Sequence, residues 1–203
     1  MTLRARFALP ALAAALLAGC ATKPEVHPAR FFVDVRGMEQ QTGSPGDAIF
    51  TRAEADWSTI NRARPLSVLL SYTAEDPTTP LTPEEIHDLR DTWAAAVESA
   101  VARTLPLHGQ STPDTILVKV ELRGLTTRRT GDGGYALKAD GATMMTELRH
   151  GENGTLWLAA EQPLGGIGFL GLRGEALTPE QRADALTRWA AKVSDLLVRQ
   201  LRQ

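Results

Sequence analysis

The chain has 203 residues, with 22 Lys and Arg against 24 Asp and Glu, a formal charge of -2, and 43% hydrophobic but only 5% aromatic residues. This is the size and balance of one modest globular domain, and it excludes the uniform basic field that draws a protein to nucleic acid. A single Cys excludes an intrachain disulfide framework and a cysteine-based zinc site.

Residues 1–19 have the three parts of a secretory signal: Arg4 and Arg6, an apolar run from Phe7 to Leu17, then small residues. Eleven apolar residues are too few to span a bilayer as a helix. The run ends in Leu17-Ala18-Gly19-Cys20, which resembles the bacterial lipobox. The resemblance implies cleavage between Gly19 and Cys20 and lipid attachment, palmitate included, at Cys20. Each buried acyl methylene contributes about 0.8 kcal/mol, so two or more chains hold a domain at a membrane without a spanning helix. Ala21 follows where an Asp would resemble an inner-membrane retention signal, which directs the expectation to the outer membrane, facing the periplasm. Removing the 19-residue signal, with its two arginines and no acid, leaves 20 basic residues against 24 acidic ones.

Residues 20–55 read as the lipidated Cys and a mostly irregular tether. Pro24 and Pro28 punctuate a polar stretch, Phe31 to Val35 has the length of a short strand, and 36–55 shows no usable period. A single α+β domain is expected over 56–203. Its first strand is 66–73, where Leu66, Val68, Leu69, Leu70 and Tyr72 follow Pro65. Thr82-Pro83-Glu84-Glu85 then combines an N-cap, a Pro at the first helical position and a capping-box Glu, and Pro106 closes the helix. Leu89, Trp93, Val97 and Val101 recur along one face of it.

Ile116, Val118, Val120 and Leu122 alternate with Leu117, Lys119, Glu121 and Arg123, the pattern of a strand with one buried face. Ala142 to Leu148 and Leu156 to Glu161 form a hairpin through Gly151-Glu152-Asn153-Gly154. Thr178-Pro179-Glu180-Gln181 opens a last helix carrying Leu186, Trp189, Val193 and Leu197. The order strand, helix, strand, hairpin, helix predicts a two-layer sandwich: a mainly antiparallel sheet of about four strands with both amphipathic helices on one face. Leu81 to Leu105 and Leu177 to Leu201 agree at eleven positions without gaps, a mark either of duplication or of two capped helices converging on the same chemistry.

No catalytic motif appears. Gly166, Gly168 and Gly171 satisfy G-x-G-x-x-G, but Leu172 to Leu177 separate them from the helix and no second parallel strand follows, so a dinucleotide or other cofactor is not expected. Ile167, Phe169 and Leu170 among those glycines read instead as an apolar contact loop. Arg123, Arg128 and Arg129 form the one basic cluster of note, and Arg128 and Arg129 are the candidates for contact with an anion or a partner. His27, His87, His108 and His150 are scattered singly, which leaves no metal site, and no Ser lies in a glycine-flanked elbow.

The lipobox, the strand ending near Tyr72, the capped helix with Trp93, the Ile116 to Leu122 strand, the hairpin and the helix with Leu186, Trp189 and Ala190 together resemble a family of small bacterial envelope lipoproteins of unassigned domain function. The resemblance brings no catalytic residue. It implies a non-enzymatic accessory, assembly or interaction domain with an envelope protein as partner. The alternative is a periplasmic binding module for a small or anionic ligand, and a third reading, ranked last, is an envelope hydrolase.

Overall fold

The computed structural model describes residues 35–131, 133–139, 141–164 and 179–203. The expected signal, Gly19, Cys20, residues 31–34 of the expected short strand Phe31 to Val35, the expected loop with Ile167, Phe169 and Leu170, and the expected cap at Thr178 lie outside them. Within them run β1 (Glu39–Gln41), β2 (Ala48–Thr51), a single turn of tighter helix (Trp57–Thr59), β3 (Arg62–Ala74), α1 (Pro83–Ala102), β4 (Thr115–Arg129), β5 (Tyr135–Lys138), β6 (Thr143–His150), β7 (Leu156–Pro163) and α2 (Pro179–Leu201).

The class is α+β, but the expected sheet of about four strands is corrected to one mixed sheet of seven. Its order is β1-β2-β7-β6-β4-β3, with β5 also paired to β4. β3 and β4 run parallel, while every other strand pair is antiparallel. A parallel pair needs a crossover of a dozen or more residues, and the segment carrying α1 is that crossover. The stretch 36–55 is likewise not all irregular, because β2 pairs residue by residue with β7, Ala48 opposite Glu161 and Phe50 opposite Ala159. The sheet therefore begins before Asp56.

Where the sequence chemistry is local, the elements form as their residues dictate. The Glu85 backbone N–H donates to Thr82 Oγ1 at 3.3 Å and the Thr82 N–H donates to Glu85 Oε2 at 2.7 Å, a complete capping box for α1. In the β6–β7 hairpin Gly154 takes φ +66, and the Thr155 N–H donates to Asn153 Oδ1 at 2.9 Å.

Both helices pack on the sheet face that presents Ile116, Val118, Val120 and Leu122. Trp93 and Trp189 are fully buried there, and the Trp93 indole N–H donates to the Leu69 carbonyl at 3.0 Å. Thr104, in the turn just after α1, and Ser194 of α2 meet through their hydroxyls, 2.7 Å apart. The opposite face carries a smaller cluster of Val35, Ala48, Met145, Leu156 and Ala159, with Met38 and Phe50 against it.

A charged sheet face as candidate functional site

Side chains alternate across a strand, so the face of β4 away from the helices presents Lys119, Glu121 and Arg123. Register then assembles the neighbours. Lys119 lies opposite Glu147, Glu121 opposite Met145 and Arg123 opposite Thr143 on β6, and Met145 lies opposite Glu161 on β7. Met145 is thus flanked on its two neighbouring strands by Glu121 and Glu161, with Glu147 two residues along its own strand.

These charges are partly withdrawn from water. The Arg123 guanidinium donates from Nη2 to Glu121 Oε2 at 2.7 Å, and Arg149 donates from Nε to Glu147 Oε2 at 3.1 Å. Glu147 is 1% exposed and Glu161 8%. The other oxygen of Glu147, Oε1, is buried without a hydrogen bond among the described residues. The bond that Arg123 donates to Glu121 is the first cause that raises the Arg123 pKa above its ordinary value; burial opposes it, and the negative fields of Glu121, Glu161 and Glu147 reinforce it. One guanidinium therefore answers electrostatically to three carboxylates.

A fork in the sheet opens a hollow beside this cluster. β4 pairs with β6 as far as Arg123, then with β5 from Thr126 onward. Gly124 and Gly141 sit at the fork with φ +74 and +76, a region that disfavours side chains. A Cβ on Gly124 would lie 3.3 Å from the Gly141 carbonyl oxygen. The resulting pocket of about 300 Å³ is lined by Arg123, Gly141, Thr143, Met145 and Glu161.

Of the arginines singled out from the sequence, Arg123 belongs to this site, but Arg128 and Arg129 are not gathered into it, nor into one of their own. Consecutive strand residues face opposite sides. Arg129 makes a two-pronged pair with Glu85, at 2.6 and 2.7 Å, and donates to the Pro80 carbonyl at 2.9 Å. Arg128 instead lies 3.8 Å from Glu75, which also accepts from Lys138. Of the histidines, His87 faces Asp91 at 3.1 Å along α1, and the His150 ring stacks on Trp157 with centroids 4.8 Å apart. Among the described residues no group of His, Cys, Asp and Glu is placed to hold a metal, and no helix is long and apolar enough to cross a membrane.

Sequence reasoning grouped Arg123 with its chain neighbours and missed Glu121, Met145, Glu147 and Glu161 as a set. Period-2 alternation could have put Lys119, Glu121 and Arg123 on one face, but the register that brings Glu161 beside them is a property of the folded sheet.

No protein-family model matches the chain, and no curated protein does. Among solved structures, the PelC dodecamer from Paraburkholderia phytofirmans is 13% identical, covers 77% of this chain and 94% of its own, and superposes with a TM-score of 0.34. A single-substitution variant of it is 14% identical over 77% and 99%, with a TM-score of 0.35. A PDZ domain protein from Parabacteroides distasonis is 7% identical, covering 72% of this chain and 35% of its own, with a TM-score of 0.36. Superpositions at this level transfer neither a fold nor a role to this chain.

Proposed function

We propose that the chain is a bacterial lipoprotein, anchored through lipid on Cys20 to the outer membrane and facing the periplasm, whose folded domain is a non-enzymatic accessory or assembly subunit of the cell envelope. The observation that carries this reading is the run Arg4, Arg6, Phe7 to Leu17 and Leu17-Ala18-Gly19-Cys20, in which charge, apolar length and cleavage chemistry coincide at one place. Lipid on one Cys suffices as the anchor. The test is labelling with a palmitate analogue in cells, with membrane fractionation and in-cell crosslinking, for the chain and for Cys20→Ala. Label and outer-membrane recovery that both depend on Cys20, and a defined envelope protein crosslinked only to the anchored form, support the proposal. Label on neither form overturns the anchor, and the absence of any crosslinked partner overturns the assembly role.

The pocket between Arg123 and Glu161 favours a second reading, a periplasmic small-ligand binding module. That role places the ligand on the charged sheet face rather than at Arg128 and Arg129, since Arg129 is already engaged by Glu85.

A further inference from the structure

The large apolar side chains left exposed among the described residues all lie along one edge of the sheet: Leu66 at 47%, Leu69 at 44% and Leu107 at 44%. β3 ends the strand order there and is a long edge of 13 residues, where β1 at the other end has three. The segment 106–108 covers only its start. The Ala63 N–H donates to the Pro106 carbonyl at 3.0 Å, and the His108 N–H donates to the Ala63 carbonyl at 2.8 Å. Leu107 rides on that cover, and beyond it no described strand pairs with the outer side of β3. Leu69 lies beside Glu121 on the charged face, while Leu70 lies beside Leu122 and is buried under the helices. A long edge that shows apolar side chains is a template for another chain.

From this edge we infer that the domain docks on a second copy of itself, β3 against β3 in antiparallel order, about a two-fold axis that passes beside Leu69 and brings it against the partner's Leu69.

The order of charges selects a copy in that orientation. Arg62 stands seven residues before Leu69 and Asp76 seven after it, with Arg64 and Glu75 just inside them. Antiparallel order sets each basic end against the partner's acidic end, whereas parallel order would oppose like charges. Arg62 and Glu75 keep Asp114 and Lys138 as partners within the chain, yet their side chains stay 44% and 43% exposed, so the pairing across copies fixes register more than it adds affinity. The Leu69 carbonyl already accepts from Trp93, and this residue contributes its side chain to the contact.

The position of the tether agrees with the same axis. Val35, where the described chain begins, packs on the face away from the helices, and a two-fold normal to the sheet returns the partner's entering chain to that same face. Both tethers then leave toward one membrane, and copies held on a shared surface meet at a raised effective concentration. This step rests on the lipid-anchor reading above. Pairing also stops at two copies. Pro65 offers no N–H, register shifts interrupt β3 between Pro65 and Ser67 and between Leu70 and Tyr72, and a two-fold contact consumes the long edge of both copies.

The experiment is sedimentation of the full chain in an excess of detergent micelles, with cysteine crosslinking in membranes beside it. The expected result is a monomer–dimer equilibrium with Kd near about 10 μM, weakened at least about tenfold in Leu69→Lys and about threefold in Arg64→Glu, with the melting temperature of the Leu69→Lys monomer unchanged. Leu69→Cys should give a disulfide-linked dimer on oxidation with diamide well above the level of Glu152→Cys, which sits on the exposed hairpin turn. A monomer at every concentration, a dimer indifferent to Leu69→Lys, or equal crosslinking from the two cysteine variants overturns the pairing. Sedimentation in micelles needs no lipid, so a dimer without palmitate label overturns the anchor alone and a labelled monomer overturns the pairing alone. Should Leu69→Lys not fold, the two cysteine variants decide.

Discussion

Arg129 and Glu85 are joined by two bonds, Nη1 to Oε1 at 2.6 Å and Nη2 to Oε2 at 2.7 Å, and Glu85 is at the same time the capping-box residue of α1. One carboxylate thereby ties the end of β4 to the start of the crossover helix. Burial raises the Glu85 pKa, but the bonds from Arg129 and Thr82 together outweigh it and hold the group below its ordinary value. A folded-state pKa below the unfolded one means stability present above the unfolded value of 4.5 and lost as pH falls through the folded value. Arg129→Ala should therefore lower stability by about 1–2 kcal/mol at neutral pH, since the pair is only partly exposed. That difference should shrink in urea melts below pH 4.5. An Arg129→Ala penalty that is unchanged in acid contradicts this account.

Glu147 and Arg149 pose a different question, because the Glu147 side chain is 2% exposed and that of Arg149 23%. Arg149→Ala leaves a buried carboxylate without its guanidinium and should destabilise by about 3 kcal/mol. Replacing both with Leu removes the charge together with its partner, so the double variant should lie closer to the unaltered protein than Arg149→Ala does. Chemical denaturation of the three proteins checks the order.

Trp93 combines packing with one polar contact, its indole N–H on the Leu69 carbonyl. Trp93→Phe keeps most of the ring and should cost about 1–2 kcal/mol, whereas Trp93→Ala opens a cavity and should cost about 3–5 kcal/mol. Trp189, also fully buried, should show the same large loss on replacement by Ala. Thermal melts of the variants measure the separation.

Gly151 stands where the hairpin turn meets the loop before β4. Its N–H donates to the Thr115 carbonyl at 2.8 Å, and a Cβ there would lie 2.7 Å from that same oxygen and against the Thr112 carbonyl as well. Gly151→Ala should destabilise by about 2–3 kcal/mol because backbone must move. Gly109→Ala, which would meet nothing within 4 Å, should stay within about 0.5 kcal/mol of the unaltered protein. Equal melting temperatures for the two variants contradict the close approach.

What the sequence determined by itself is chemistry that acts over three or four residues. Thr82 to Glu85 suffices to start a helix, Asn153-Gly154 suffices to turn a hairpin, and the Leu17 to Cys20 run carries its expectation of lipid without reference to any fold. Strands with a clean alternation, such as Ile116 to Leu122, were readable for the same reason. β1, β2 and β5 were not, since three or four residues hold no measurable period and become strands only when β2, β7 and β4 respectively supply their hydrogen bonds. The parallel pairing of β3 with β4 was also decided in three dimensions, by the length of the connection through α1. The charged face follows the same division. Alternation tells which side of its own strand Glu121, Met145 or Glu161 takes, but only the register of three strands, set by the burial of their other faces against α1 and α2, brings them around Arg123.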